Sequence, residues 1–113
     1  ELLPLEQKGS LRLPFIPDSC KSNGHLFFII CRSKKERDRL ISFLNKEGVN
    51  SVFHYVPLHS SPMGRVYRNL KTRLPVTDQI ADHIVRLPCY YGIETSELHK
   101  VVQTIISFFN CNK

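Results

Sequence analysis

Apolar and polar positions along the chain change period several times, and each change marks a predicted element. His25–Arg32 is a continuous apolar run, which predicts a strand covered on both faces or nearly so. The period then becomes helical. Leu40, Ile41 and Leu44 form one stripe, widened by Phe43. Ser33 opens an S-K-K-E capping box with Glu36, and Gly48 supplies the left-handed stop, so a helix is predicted over 34–47. Val49–Tyr55 reads as a second strand. Val56–Leu74 has no period, and Pro57, Pro62 and Gly64 interrupt it. It reads as a long loop with one helical turn near Val66–Leu70, and loops of that length are often functional. Thr77 is placed to cap a helix reaching about Val85, with Asp78 in its first turn and Leu87-Pro88 ending it. Thr95, followed by Glu97, caps the last helix. Leu98, Val101, Val102, Ile105, Ile106 and Phe109 share one face of that helix and belong to the core.

Residues 1–23 contain Pro4, Pro14 and Pro17, with Gly9 and Ser10 between them. They read as an extended lead-in with a short strand at Leu11–Leu13, closed by a turn at Asn23-Gly24. Residues 24–113 then form the domain proper. The order strand, helix, strand, long loop, helix, helix describes a small α/β (α+β) two-layer unit with about three helices. The helix between its strands permits a parallel or crossed pair. Two strands do not make a free-standing sheet. A third must come from the lead-in, from Arg86–Tyr90, or from residues outside this sequence.

Composition narrows the picture. The 113 residues suit one small domain. No run approaches the ~20 apolar residues needed to cross a bilayer. The amino-terminal residues lack a secretion pattern and do not begin with Met, so an internal cut in a longer protein is expected. A net charge of +6 favours anionic partners such as nucleic acid, phosphates or a nucleotide, or else simply a basic surface. The basic residues cluster only weakly, at Arg32–Arg39 and Arg65–Arg73. The four cysteines are widely spaced without a C-x-x-C, which argues against zinc and for a reduced, cytoplasmic setting. Cys31 and Cys89 read as small buried apolar residues.

The chemistry is sparse. There is no phosphate-binding P-loop, no G-x-G-x-x-G and no G-x-S-x-G elbow. The stretch VFHYVPLHSSP is the exception. Its His54-Tyr55 pair can donate hydrogen bonds to a phosphate or a sugar hydroxyl, or pass a proton. No acid or thiol near His54 and His59 completes a metal site. Alone, the pair does not make a catalyst.

Ordered motifs over residues 24–109, about three quarters of the chain, resemble the carboxyl-terminal domain of the DegT/DnrJ/EryC1/StrS sugar aminotransferases. GHLFFIICR resembles the strand that opens their small domain. KKERDRLISFLNKEGVNSVFHYVPLH resembles their helix, glycine and HY-x-P-x-H segment. LPVTDQIADHIVRLPCYYGIETSELHKVVQTIISFF resembles their closing pattern of two leucine-prolines, an aromatic pair and a terminal helix. The resemblance implies the small domain of the aspartate-aminotransferase fold, with pyridoxal 5'-phosphate held by a large domain that precedes these residues. VFHYVPLHSSPMG and LPFIPDSC are closest to members that aminate dTDP-4-dehydro-6-deoxy-D-glucose to dTDP-4-amino-4,6-dideoxy-D-galactose, on a route to surface polysaccharides such as enterobacterial common antigen. It further implies glutamate as donor, a homodimer with composite sites, and a ping-pong reaction.

In such an enzyme the segment Phe53–His59 closes over the sugar nucleotide. His54 and Tyr55 then contact substrate or brace the loop that does. The bland alternatives are a hydrogen-bonded strand-end histidine and a half-buried core tyrosine. His59 contacts ligand or caps the turn at Ser60-Ser61. Arg65 meets a diphosphate, or is merely solvated. His25 makes a structural hydrogen bond, His83 and His99 lie at the surface, and Tyr90 and Tyr91 pack the domain. No lysine here takes the Schiff-base role, so these residues alone should bind no pyridoxal phosphate tightly and transaminate nothing. An exposed apolar face and self-association should follow. The rival reading is a free-standing basic module for RNA or another polyanion. Against it, LFFIICR lacks the pattern of an RNA-recognition strand, and Phe27 and Phe28 fall in a run expected to be buried.

Overall fold

The computed structural model describes residues 1–67 and 73–111. Helix α1 (Leu3–Gln7) starts on Pro4, whose fixed φ suits the first helical turn. It occupies part of the lead-in expected to be extended. Gly9, at φ 67°, turns the chain into strand β1 (Leu11–Arg12). Strand β2 (Phe27–Cys31) lies at the centre of a three-stranded antiparallel sheet, ordered β1-β2-β3. Leu11 pairs with Cys31 on one side. On the other, Phe27 pairs with Leu87 and Ile30 with Ile84 of strand β3 (Ile84–Leu87). Two of the expected sources thus supply strands, the lead-in as β1 and Arg86-Leu87 within β3, while Ile84 and Val85 of β3 were expected to end a helix; no parallel pair forms among the described strands.

Helix α2 (Lys34–Lys46) forms as its capping box dictates. Ser33 Oγ accepts the Glu36 N–H at 3.2 Å, and the Glu36 carboxylate accepts the Arg32 N–H at 2.9 Å. Gly48, at φ 74°, ends it, and the Val49 N–H returns to the Leu44 carbonyl at 2.8 Å. Val49–Tyr55 is not a strand. Asn45 explains why: its side-chain amide accepts the Ser51 N–H at 2.9 Å and donates to the Ser51 carbonyl at 3.1 Å. That peptide is taken before a ladder can use it, and one isolated bridge, Val52 to Arg86, remains.

Helix α4 (Pro75–His83) begins two residues before the expected cap at Thr77, because Pro75 sits in its first turn. It stops at His83, where β-branched Ile84 and Val85 continue as strand. The expected turn at Val66–Leu70 is instead helix α3 (Pro62–Tyr67), and positions 68–70 lie outside the described residues. Helix α5 (Thr95–Cys111) packs on α2, and Phe43 meets Phe108 at 5.6 Å between ring centroids. Ile29, Leu40, Leu44, Val85 and Ile105 are sealed in the core, joined by Leu2, Leu5 and Leu11 from the lead-in.

Other expectations fail by exposure. Phe27 is 41% exposed, so β2 is covered on one face more than the other. Cys89 is exposed while Cys31 is buried, and burial pushes the Cys31 thiol up to about 12. Tyr90 and Tyr91 stand in solvent, the former donating to Glu97 at 2.9 Å. No helix among the described residues is long and apolar enough to cross a membrane.

Candidate functional site

The Val52–Arg86 bridge decides where the site lies. Arg86 N–H donates to the Val52 carbonyl at 2.8 Å, and Val52 N–H donates back at 3.3 Å. The chain leaving that bridge carries His54 and Tyr55 past the end of the sheet. Pro57 then starts a 3₁₀ turn over Leu58–Ser60. Ser61 Oγ donates to the Leu58 carbonyl at 2.8 Å and accepts the Gly64 N–H at 3.0 Å, which turns the chain into α3. Residues 54–58 face Val76, Thr77, Ile80 and Ala81 of α4, with Ile84 beside them. Between them lies an open cleft of about 630 Å³ with largely apolar walls.

His54 and Tyr55 form its polar corner. Their ring centroids lie 4.3 Å apart at a 54° tilt. The Arg86 guanidinium stands 5.9 Å from the Tyr55 ring centroid, within cation–π range. Tyr55 is 66% exposed. His54 Nδ1 is buried and has no hydrogen-bond partner among the described residues. Burial holds the His54 imidazole below its ordinary range, and the positive charges of Arg86 and His25 add to the effect. A neutral imidazole with one unmet polar atom can donate or accept a hydrogen bond at this corner.

The other two candidate residues serve the loop. The largely buried His59 side chain places Nε2 2.9 Å from Asp78 Oδ1, tying the 3₁₀ turn to the first turn of α4. Arg65 Nε donates to the Ser60 carbonyl at 2.9 Å. Neither lines the cleft with His54 and Tyr55. Sequence reasoning did not single out Asp78 and Arg86 as parts of the site. Asp78 was visible only as a first-turn acid, and Arg86 only as a strand candidate. Their placement depends on contacts between distant segments. No group of three or more His, Cys, Asp or Glu side chains among the described residues is placed to hold a metal.

A sequence model of the DegT/DnrJ/EryC1/StrS aminotransferase family matches residues 4–106. The chain belongs to this family. It is 29% identical over 77 residues to GDP-perosamine synthase from Vibrio cholerae, covering 66% of this chain and 20% of that protein. Among solved structures, it superimposes on S. venezuelae DesV, in complex with a ketimine intermediate, with a TM-score of 0.82 and 25% identity. That match covers 95% of this chain and 28% of DesV. NtdA from Bacillus subtilis, with bound cofactor PMP, gives 0.82 at 23% identity, over 96% of this chain and 25% of NtdA. The chain therefore spans between a fifth and under a third of the length of these relatives. The fold is that of the small domain of aspartate-aminotransferase-like, pyridoxal-phosphate-type enzymes.

The cleft does not form a pyridoxal phosphate site by itself. Its lining holds neither a lysine to form a Schiff base nor a carboxylate to meet the pyridine nitrogen.

Proposed function

We propose that these residues form the carboxyl-terminal domain of a longer, cytoplasmic nucleotide-sugar aminotransferase, following a large domain that holds pyridoxal phosphate. The acceptor is dTDP-4-dehydro-6-deoxy-D-glucose, the donor glutamate and the product dTDP-4-amino-4,6-dideoxy-D-galactose. The observation that carries this reading is the corner itself: His54, its buried Nδ1 unmet, tilted against an exposed Tyr55 at the rim of an apolar cleft, on this family's fold. Such a corner suits a sugar, whose hydroxyls need hydrogen-bond partners and whose ring faces accept apolar walls. His54 and Tyr55 hold the sugar, while the His59–Asp78 contact and Arg65 keep the loop in place over it. Phe53, Val56, Leu58, Met63, Val66 and Tyr67 are exposed around the same loop. This favours a second protein surface covering it, in keeping with a homodimer.

A second reading changes only the nucleotide. The similarity to a GDP-perosamine synthase favours a GDP-linked 4-ketosugar. The test is to express the parent protein with pyridoxal phosphate and glutamate, offer each 4-ketosugar nucleotide separately, and identify the amino sugar by mass spectrometry and NMR. Formation of the dTDP product supports the first reading. Turnover of the GDP substrate alone selects the second. Turnover of neither, with a salt-dependent gel shift of single-stranded RNA by this chain, would restore the polyanion-binding reading. The 113-residue chain by itself should remain colourless with pyridoxal phosphate and show no turnover.

A further inference from the structure

Arg86, from β3, stands over the Tyr55 ring beside His54, and no carboxylate pairs with it among the described residues. The contrast with the rest of the surface is informative. Arg32 is paired with Glu36, Lys34 with Asp82, Arg37 with Asp38 and His59 with Asp78. Among the described ion pairs, none involves Arg86, His25 or His54. Arg86 is held in place by strand pairing to Phe28 and by the bridge to Val52, and its guanidinium is kept over the Tyr55 ring. Arg86 thus stands beside an aromatic face without a counter-ion among the described residues, next to an imidazole with one buried atom unsatisfied. Both groups can donate hydrogen bonds to an anion.

We propose that Arg86 and His54 form a phosphate-binding corner, and that Arg86 is the residue that grips the diphosphate of the nucleotide sugar. This rests on the substrate class proposed above. A diphosphate is preferred to a carboxylate because it offers oxygens to two separately mounted donors at once. A planar guanidinium meets two phosphate oxygens, and the His54 imidazole reaches another.

The test is a titration of this chain with inorganic pyrophosphate, dTDP and glutamate, followed by the imidazole NMR signals. A saturable shift of His54 with pyrophosphate and dTDP is expected, with His99, on α5 beside Glu1, as the bystander. Arg86→Gln should weaken the response about tenfold, the loss of one charge-assisted hydrogen bond. Its backbone pairing should survive, checked by circular dichroism. Should that variant fail to fold, Arg86→Lys keeps the charge and loses the fork, and it should still bind pyrophosphate more weakly than the native chain. Shifts that His99 shares equally, an unchanged response in both variants, or saturation by glutamate but not pyrophosphate would each overturn the proposal. In the parent enzyme, Arg86→Gln should raise KM for the nucleotide sugar about tenfold and leave KM for glutamate unmoved. Pyrophosphate binding without transamination would keep this corner and remove the substrate reading. Transamination indifferent to Arg86 would do the reverse.

Discussion

Between the sheet and helices α2 and α5, Ile29, Leu40, Leu44, Val85 and Ile105 have no measurable exposure. Along residues 53–67, by contrast, Phe53, Tyr55, Val56, Leu58, Met63, Val66 and Tyr67 are each between 47% and 85% exposed. Both regions are rich in apolar side chains, yet only the first uses them to hold the chain together. Each Leu or Ile sealed in the first contributes about 1.5–3 kcal/mol. The second keeps its shape through polar contacts instead: Ser61 with Leu58 and Gly64, Arg65 with Ser60, and His59 with Asp78. The lesson is that stability and recognition are assigned to different segments, so each can be disturbed with little effect on the other.

The comparison breaks most visibly in the core. Ile105→Ala should cost about 2–5 kcal/mol, read as a fall in the urea midpoint of the whole chain. A loss below about 1 kcal/mol would mean that α5 does not anchor the fold. Next comes Gly64→Ala. A Cβ at this position would overlap the Leu58 carbonyl, so α3 and the 3₁₀ turn must part. The expected cost is about 1–3 kcal/mol, confined to the loop. Amide exchange should quicken over 58–67 while β2 and β3 stay protected.

Acid gives a smaller, graded effect. Burial works to raise the Glu36 pKa, but hydrogen bonds from Arg32 hold it below the ordinary 4.5. The folded value therefore lies under the unfolded one. The stabilisation is complete above pH 4.5 and is lost as pH falls through the folded value. Glu36→Gln should remove about 0.5 kcal/mol of acid dependence, measured as the difference in denaturation midpoints across that window. The smallest stability effect belongs to Tyr55→Ala, within about 0.5 kcal/mol because the ring is exposed. In the parent enzyme the same change should impair use of the nucleotide sugar. A chain that unfolds on losing Tyr55 would show instead that the ring serves the fold.

Much of the core was readable in advance, because local signals and tertiary packing agree there. The Ser33 box, the Gly48 stop and most of the α5 stripe each act within a few residues, while Leu98, expected in that stripe, is exposed. Where the sequence misled, a distant or competing partner decided. Val49–Tyr55 has strand composition, but Asn45 captures the Ser51 peptide. Ile84 and Val85 looked like a helix end, yet they open the strand that completes the sheet beside β2, of which Arg86 and Leu87 were candidate members. Pro4 and Pro62 suggested interruption, and both in fact lie in the first turn of helices. At the site, the His54–Tyr55 pair was evident because its members are adjacent. Arg86 was not, since only the bridge to Val52 brings it there. His59 and Arg65 were chosen for their chemistry; here His59 meets Asp78 of α4, and Arg65 donates to the Ser60 carbonyl.

The buried thiol of Cys31 sits in the middle strand, opposite Leu11, while Cys20, Cys89 and Cys111 are open to solvent. At neutral pH an alkylating reagent should mark the outer three promptly and leave the inner one untouched, since the reactive form is the thiolate. The fourth label can then be added only when the core packed over Cys31 opens. Its rate becomes a clock for that opening, already installed in the native chain without an added probe.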